Sequence, residues 1–324
     1  MSYIIGSFNL RDFNFANQSS DGEKLSRDIA KIAEIIIDEG FDVVALQEIN
    51  SEMAVKQSLL TEMNMRKNSQ QNWDCRVSEP SRKTKDPEMY AYVWNTKRLA
   101  LMEIPRKSNP DDYQAAGGNT LLRPPYYIRL TSRGRLGGSN FELRLLNVHI
   151  QQSVSEQERI QEFEKLIKQV LPRCCDHPGL NGMPAYTFLL GDYNLRLDKG
   201  PNAQIRIESI TTSNYTGKRR HLLTVQREPT SLRLPNEQQS IEECYANNYD
   251  HFTYEVINTG WDPLLPRWEH TASRGIPSGL KLAESRIEAL GKYYQKEDGA
   301  ASKLQAYRAQ VSDHVPIKLE LYLK

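Results

Sequence analysis

The stretch Val311-Ser312-Asp313-His314-Val315-Pro316-Ile317 carries the most informative pattern in this sequence. It sets a carboxylate beside an imidazole, immediately before an apolar alternation at residues 315, 317, 319, 321 and 323. Such alternation is typical of a half-buried strand, so a strand that begins at a polar pair is predicted here. Taken alone, the pair is better explained as a turn former followed by a surface histidine, and a functional interpretation needs support from elsewhere in the chain.

Length and composition limit the class of protein. A chain of 324 residues with 39% hydrophobic content can bury a large core. Lys and Arg total 42 against 41 Asp and Glu, so there is no global basic field of the kind that marks many nucleic-acid-binding proteins. An anionic partner would have to be held by local charge or by a metal ion. Because no internal repeat or low-complexity linker is visible, we expect one domain over residues 1–324.

The cysteines and the apolar runs bear on location. The four cysteines lack metal-ligand spacing, and two of them are adjacent, which disfavours a disulfide framework; we predict free thiols at Cys75, Cys174, Cys175 and Cys244. No apolar run approaches the roughly 20 residues that span a bilayer. The opening residues have the pattern of a strand and lack the features of a secretory signal, so a cytoplasmic location is expected.

Local patterns predict several helices and strands. Capping boxes at Ser20-Asp21-Gly22-Glu23 and Ser155-Glu156-Gln157-Glu158 predict helices that end at Gly40 and at Pro172. A glycine-rich turn between two strand-like runs predicts an antiparallel hairpin that ends at His149. Residues 198–240 are predicted to be irregular, and apolar spacing predicts one more helix over residues 280–294.

Strand after predicted strand begins or ends at a residue that can bind a metal ion, bind phosphate or move a proton. These residues are Asn9, Glu48, Glu88, His149, Asp192, Asn194, Asp250, Asp313 and His314. Each alone could be a cap, a turn residue or a buried hydrogen-bond partner. Together they predict one shared site, because sites in α/β sheets assemble at strand ends. Oxygen donors without thiolates favour Mg²⁺, with Mn²⁺ or Ca²⁺ as alternatives, and disfavour zinc.

Six short motifs, in order over residues 7–316, make the chain resemble the endonuclease/exonuclease/phosphatase superfamily, and within it the deoxyribonuclease I-like enzymes. They are Ser7-Phe8-Asn9-Leu10-Arg11, Leu46-Gln47-Glu48, Asn147-Val148-His149, Gly191-Asp192-Tyr193-Asn194, Tyr249-Asp250-His251-Phe252 and Ser312-Asp313-His314-Val315-Pro316. The resemblance implies a four-layer α/β sandwich of two face-to-face mixed sheets flanked by helices. A helical segment at about residues 262–311 has no counterpart in this pattern and is expected to be an insertion.

The resemblance also implies a role for each candidate residue in a metal-dependent phosphoester hydrolase. The metal ion would be held by Glu48 with help from Asn9 and Asp313, and the scissile phosphate and attacking water by Asp192 and Asn194. Two pairs, His314 with Asp250 and His149 with Glu88, would transfer protons, since a carboxylate behind a histidine fixes its tautomer and favours its charged form. His314 is assigned as the base and His149 as the acid, and the reverse assignment stays open.

The same resemblance favours DNA as the substrate and a largely sequence-nonspecific endonuclease as the activity. Arg11 and Arg123 match phosphate-contacting positions, and Asn9 and Asn194 complete the predicted DNA-binding set. Against this, Asn50 and Asp86 replace two residues with which deoxyribonuclease I enters the minor groove. Two alternatives stay open: a phosphatase or phosphodiesterase that acts on a phospholipid, an inositol phosphate or another small phosphoester, and a catalytically silent binding module.

Overall fold

The computed structural model of the chain describes residues 2–14, 27–66, 68, 71–81, 88–102, 121, 123–133, 141–176, 185–197, 207–211, 219–224, 229–234, 244–255, 269–270, 277–278, 280–283 and 300–322. Two large sheets face each other, and both are mixed, since each contains one parallel pair of strands among antiparallel neighbours. A short two-stranded sheet pairs β12 (Glu269–His270) with β13 (Pro277–Ser278).

The first sheet has six strands, in the order β14-β15-β1-β2-β4-β3. Their bounds are β1 Ser2–Phe13, β2 Val43–Ile49, β3 Trp73–Val77, β4 Met89–Asn95, β14 Leu280–Ala283 and β15 Ile317–Tyr322. The central strands β1 and β2 run parallel. The predicted strand after His314 is therefore β15, and it pairs antiparallel with β1.

The second sheet has seven strands, in the order β5-β6-β7-β8-β11-β10-β9. Their bounds are β5 Leu99–Leu101, β6 Tyr126–Ser132, β7 Glu142–His149, β8 Ala185–Asp192, β9 Ile207–Thr211, β10 Arg219–Thr224 and β11 Asp250–Glu255. The strands β6 and β7 form the predicted antiparallel hairpin, and β7 runs parallel to β8.

Helices cover the outer face of each sheet. The first sheet is covered by α1 (Ile29–Asp38), by α2, which runs through Ala54–Leu59 and Leu60–Arg66, and by α4 (Ala300–Gln310). The second sheet is covered by α3, which runs through Glu156–Lys165, Leu166–Val170 and Leu171–Asp176. The layers are therefore helix, sheet, sheet, helix, and the predicted four-layer α/β sandwich is confirmed.

The side chains of the central strands alternate between the core shared by the two sheets and the core under the helices, so both faces of each sheet are buried. Along β1, Tyr3 and Ile5 point into the core between the sheets, whereas Phe8 and Leu10 point toward the helices. Such strands are apolar at nearly every position, since neither face meets water. Asp192 and His149 lie at the ends of β8 and β7, and Asn9 and Glu48 lie where the pairing of β1 with β2 becomes irregular, so the candidate site is at one edge of the sandwich.

Two predicted helix bounds need correction. The first helix begins at Ile29, where the Asp28 side chain accepts a hydrogen bond from the backbone N–H of Lys31 at 2.9 Å; the proposed capping box at residues 20–23 lies outside the described residues. The helix predicted to stop at Pro172 continues to Asp176. A π-type turn at Leu166–Val170 widens the helix just before the proline, which helps the helix to tolerate a residue without a backbone N–H.

Two segments predicted without strands contribute strands at or next to a sheet edge. Residues 198–240, predicted to be irregular, contain β9 and β10, which extend the second sheet. A helix was predicted over residues 280–294, but its first residues form β14, which pairs with β15. Residues 284–299 lie outside the described residues. Strands β9 and β14 lie at sheet edges and pair on one side only, and β10 lies next to an edge, between β9 and β11. Strands in such positions carry a weaker apolar pattern than central strands.

The prediction that the cysteines are thiols is confirmed, since none of the four forms a disulfide bond. Within the described segments, no helix combines the length and the apolar character needed to cross a membrane.

Candidate active site

Strand register brings the polar motif residues to one edge of the two sheets. Asp192, at the end of β8, is paired with His149 on the parallel neighbour β7 and with Asp250 on the antiparallel neighbour β11. Across the sandwich, the amide nitrogen of Asn9 donates to Glu48 Oε1 at 2.8 Å and to Asp192 Oδ2 at 3.0 Å. Asn9 therefore links the strand ends of the first sheet to those of the second.

A buried amide network joins the sheets just beneath this edge. The side-chain nitrogen of Gln47 donates to Asn147 Oδ1 at 2.6 Å, and the nitrogen of Asn147 donates to the carbonyl oxygen of Leu46 at 2.9 Å. Gln47 precedes Glu48, and Asn147 lies two residues before His149. Because unsatisfied buried amides are costly, these bonds hold the two halves of the site in a defined relative position.

Gly191 is required by the close approach of β7 to β8. Its φ is +141°, and a Cβ built there would lie 1.9 Å from the carbonyl oxygen of Val148. No side chain fits this position, and a shift of β8 would displace Asp192, the next residue.

We expect Gly191→Ala to destabilise the fold by more than about 3 kcal/mol, because it combines backbone strain with a steric clash. Gly40→Ala is the matched control: its φ is also positive, at +71°, but the nearest atom to a Cβ there lies 3.5 Å away. The control should cost about 1–2 kcal/mol. Chemical denaturation of both variants measures the difference, and equal losses would contradict the steric argument.

Backbone strain concentrates at the site. Among the described residues, four that are not glycine have positive φ: Arg11 at 42°, Asp12 at 51°, Glu48 at 56° and Asn194 at 49°. All four lie in the predicted motifs or next to one. Conformations of this kind persist where the surrounding structure enforces them, and they cluster at functional sites.

Local hydrogen bonds hold Glu48 and Asp192 in place. Glu48 Oε2 accepts from the backbone N–H of Asp12 at 3.1 Å, and Asp192 Oδ1 accepts from the backbone N–H of Asn194 at 2.8 Å. Burial raises the pKa of Glu48 above its ordinary value, and the nearby charges of Glu88 and Asp313 also raise this pKa, against the influence of His149. Burial likewise raises the pKa of Asp192, and the neighbouring carboxylate of Asp250 adds to the effect, although His314 opposes it.

The first histidine–carboxylate pair joins β7 to the start of β4. His149 Nδ1 lies 2.7 Å from Glu88 Oε2, and the backbone N–H of His149 donates to the hydroxyl of Tyr90 at 3.0 Å. Burial would lower the pKa of His149, but the Glu88 carboxylate outweighs it and raises this pKa to about 9. Burial would raise the pKa of Glu88, but the positive charges of His149 and Arg123 lower it.

The second pair joins the loop before β15 to β11. His314 Nδ1 lies 2.7 Å from Asp250 Oδ2, in fully buried surroundings. Burial opposes the charge on His314, yet the Asp250 carboxylate raises its pKa well above the ordinary value. The backbone N–H of His314 donates to Ser312 Oγ at 3.0 Å, and the Ser312 hydroxyl donates to the carbonyl oxygen of Asn9 at 2.6 Å.

The two imidazoles converge on Asp192. His149 Nε2 and His314 Nε2 each lie 3.7 Å from Asp192 Oδ2, and His149 Nε2 lies 3.7 Å from Glu48 Oε1. The Nε2 of each ring therefore faces the Asp192 carboxylate, while its Nδ1 contacts a second carboxylate, Glu88 for His149 and Asp250 for His314. A group placed among these atoms would meet two proton-transfer groups and two carboxylates at once.

This donor set suits a divalent cation. Ligand atoms of Glu48, His149 and Asp192 lie within 4.8 Å of one another, and so do those of Asp192, Asp250 and His314. Burial raises the pKa of both Glu48 and Asp192, and other carboxylates nearby add to the effect, so a cation placed here would stabilise their charged forms. Carboxylate oxygens are the ligands that Mg²⁺ prefers, whereas the first set also includes an imidazole, which Mg²⁺ uses less readily.

Asn9 and Asp313 have different partners from those expected of metal ligands. The amide oxygen of Asn9 accepts from the backbone N–H of Arg11 at 2.9 Å, so its nitrogen and not its oxygen faces the carboxylates. Asp313 Oδ2 lies 3.5 Å from Arg11 Nε and 3.8 Å from Arg308 NH1. In this structure Asn9 orients Glu48 and Asp192, and Asp313 pairs with arginine.

The two arginines predicted to contact phosphate point into the protein. Arg11 pairs with Asp313, and Arg123 NH2 lies 2.6 Å from Glu88 Oε1; both arginine side chains are only 7% exposed. Asn194, the other predicted phosphate ligand, donates to the carbonyl oxygen of Ile150 at 2.8 Å. The Asn50 amide donates to Asp12 Oδ1 at 3.0 Å, and Asp86 lies outside the described residues.

Comparison with known proteins bears on the fold. No family model matches this sequence, and no curated protein matches it. Among solved structures, an endonuclease/exonuclease/phosphatase family protein from Bacteroides thetaiotaomicron matches with a TM-score of 0.53 and 13% identity, over 100% of this chain and 98% of that one. The chain has the endonuclease/exonuclease/phosphatase fold.

Two further structures with this fold carry named activities. A mannosyl-6-phosphatase from Bacteroides thetaiotaomicron VPI-5482 matches with a TM-score of 0.51 and 14% identity, over 99% of this chain and 100% of that one. ANGEL2, a 2',3'-cyclic phosphatase, matches with a TM-score of 0.51 and 12% identity, over 98% of this chain and 94% of that one. The predicted endonuclease/exonuclease/phosphatase resemblance is confirmed at the level of the fold.

Several residues that shape the site within this endonuclease/exonuclease/phosphatase fold were not singled out from the sequence. Tyr90 holds the backbone of His149, and Tyr307 on α4 donates from its hydroxyl to the carbonyl oxygen of His314 at 3.0 Å. Thr230 Oγ1 accepts from the backbone N–H groups of Tyr249 and Asp250 at 3.1 and 3.0 Å. The Tyr90 contact joins residues that are 59 positions apart in sequence, and no local pattern marks such a contact. Helix α4 therefore braces the Ser312–His314 turn.

Proposed function

We propose that this protein is a metal-dependent phosphoester hydrolase. The observation that supports this best is the convergence of two histidine–carboxylate pairs on Asp192, with both Nε2 atoms 3.7 Å from one carboxylate oxygen. Hydrolysis of a phosphoester needs one proton taken from water and one given to the leaving oxygen. Two imidazoles that approach one carboxylate oxygen, each oriented by its own carboxylate, meet that need.

Each side chain has a defined task in this proposal. His314, oriented by Asp250, takes the proton from the attacking water, and His149, oriented by Glu88, gives a proton to the leaving oxygen. The Glu88 carboxylate favours the protonated form of His149, which is the form an acid requires. The Asp250 carboxylate does the same at His314, so His314 can act as the base only when a nearby cation lowers its pKa. Asp192 and Asn194 orient the water and the phosphate, and Asn9 fixes Asp192 and Glu48 by donating a hydrogen bond to each.

Glu48 and Asp192 are the residues that would hold the metal ion, which we propose to be Mg²⁺. When bound, the cation supplies positive charge that stabilises the anionic transition state and lowers the pKa of both neighbouring imidazoles. Removing it should abolish turnover. Asn9 supports this centre by its hydrogen bonds to Glu48 and Asp192, and Asp313 supports it through its ion pair with Arg11.

We propose DNA as the substrate to test first, with cleavage that is largely independent of sequence. The motif order and the arginine positions support it. Because Arg11 and Arg123 point into the protein, they offer fewer contacts to the phosphates of a long DNA duplex. This favours a second candidate, a phosphatase or phosphodiesterase for a small phosphoester. Two proteins with the same fold, a mannosyl-6-phosphatase and a 2',3'-cyclic phosphatase, are named for small phosphoester chemistry.

One assay separates the candidates. We expect the protein to nick supercoiled plasmid in the presence of Mg²⁺ and to stop when EDTA is added. Phosphoinositides, a sugar phosphate and a 2',3'-cyclic nucleotide are incubated in parallel and followed by phosphate release or chromatography. If a small phosphoester is turned over and plasmid is not nicked, the substrate is the small phosphoester and not DNA. If none of these compounds is turned over in an EDTA-sensitive way, the hydrolase proposal is contradicted.

A further inference from the structure

Arg123 makes two short contacts with the Glu88–His149 pair. Its NH2 lies 2.6 Å from Glu88 Oε1, and its NH1 lies 2.9 Å from His149 Nδ1. The other Glu88 oxygen, Oε2, lies 2.7 Å from the same Nδ1. The carboxylate of Glu88 is thus divided between two partners, one oxygen for the guanidinium and one for the imidazole.

This division fixes the orientation of Glu88. A carboxylate held at one oxygen only can rotate about its last bond, whereas two partners at different oxygens define its plane. The guanidinium is planar and rigid, so it imposes that orientation more strongly than a flexible ammonium group could. Because Nδ1 carries a proton when it donates to Oε2, Arg123 NH1 cannot donate to it at the same time, and Glu88 is the group that holds Arg123 in place.

The chain delivers Arg123 rigidly and shields it from solvent. Pro124 follows it directly, which restricts the Arg123 backbone to extended conformations ahead of β6. The Arg123 side chain is 7% exposed, compared with 16% for Glu88. Tyr90, whose hydroxyl accepts from the backbone N–H of His149, is also buried.

We propose that Arg123 is a positioning residue for the Glu88–His149 pair and does not contact the substrate phosphate. The inference rests on the proposed function, because it assigns Arg123 a task in the proton transfer by His149. Arg123 orients Glu88, Glu88 orients His149, and the chemistry takes place at His149 Nε2. Loss of a positioning arginine would lower kcat, whereas loss of a DNA-contacting arginine would raise KM.

A spectroscopic measurement tests the contact without any need for turnover. We expect the ¹⁵N and ¹H signals of the His149 ring in Arg123→Ala to shift relative to the wild-type protein, while those of His314 stay unchanged. The His149 signals are assigned by their loss in His149→Gln. The control is Arg133→Ala, which removes an exposed arginine just beyond the same strand. An unchanged His149 ring in a folded Arg123→Ala protein would overturn the proposal.

A double-mutant cycle with Glu88→Gln tests the proposed task. Arg123→Ala alone should lower kcat by about 10- to 100-fold with little change in KM, as expected when a catalytic group is misplaced. In the Glu88→Gln background the same change should lower kcat by less than about 2-fold, since the group through which Arg123 acts is already altered. Added guanidinium should restore part of the activity of Arg123→Ala.

The outcomes are distinguishable. Additive losses, or a rise in KM with kcat unchanged in both backgrounds, would show that Arg123 contacts the substrate and would overturn the proposal. If the wild-type protein hydrolyses no phosphoester, the proposed function fails. The ring signals of His149 would still show whether Arg123 orients the pair.

Discussion

Asp192→Asn is expected to lower the rate of metal-dependent hydrolysis by about 10³-fold or more. Asp192 Oδ2 faces both imidazole Nε2 atoms at 3.7 Å and accepts from Asn9 at 3.0 Å, so one atom contributes to both halves of the site. Loss of one preorganised electrostatic group in an active site costs about 10²- to 10³-fold. Weaker metal binding adds to this loss, since Asp192 belongs to both sets of clustered ligand atoms.

Steady-state rates at saturating Mg²⁺, together with a Mg²⁺ titration, measure the two parts of this effect. The matched control is Asp74→Asn, which makes the same change of charge at an exposed position on β3. Circular dichroism and thermal unfolding establish that the variant is folded. If Asp192→Asn retained more than a tenth of the wild-type rate, Asp192 could not be at the centre of the chemistry.

His314→Ala is expected to lower the rate by about 10²- to 10⁴-fold, the usual contribution of a positioned acid or base. The ring of His314 is held at Nδ1 by Asp250 at 2.7 Å and at its backbone by Ser312 at 3.0 Å, so its Nε2 has a defined direction. His149→Ala is expected to fall in the same range. Each pair supplies a different proton transfer, so neither histidine can replace the other.

His314→Asn separates proton transfer from structure. Asparagine can still donate a hydrogen bond toward Asp250, but it has no group that transfers a proton near neutral pH. We expect His314→Asn to be about as inactive as His314→Ala, and added imidazole to restore part of the activity of His314→Ala. Near-wild-type hydrolysis by either His314 variant would rule out the acid–base mechanism.

The fold was predictable because its central strands and the helix covering the second sheet are marked by strong local patterns. The capping box at Ser155 forms as expected, with the Ser155 hydroxyl accepting from the backbone N–H of Glu158 at 3.3 Å and Glu158 Oε2 accepting from the backbone N–H of Ser155 at 2.9 Å. Strands β9, β10 and β14 were missed because strands at or next to a sheet edge depend on pairing with a neighbour. Their own sequences do not specify that pairing.

At the candidate site, sequence patterns identified the residue types but not the contacts between them. A residue type limits what a side chain can bind, and so the carboxylates and histidines were identified as site candidates. It does not specify the partner. Arg123 meets Glu88, and Arg11 meets Asp313, across long separations in sequence. These contacts turn two arginines predicted to bind DNA into internal ion pairs.

The sequence by itself determined the order of strands and helices in the central layers and the set of polar residues at the strand ends. Only the tertiary structure decided how those residues pair: His149 with Glu88, His314 with Asp250, and both rings with Asp192. The physical reason is the range of the interactions. Helix caps and strand alternation are set by neighbours in sequence, whereas hydrogen bonds at the site depend on the register and the facing of two sheets.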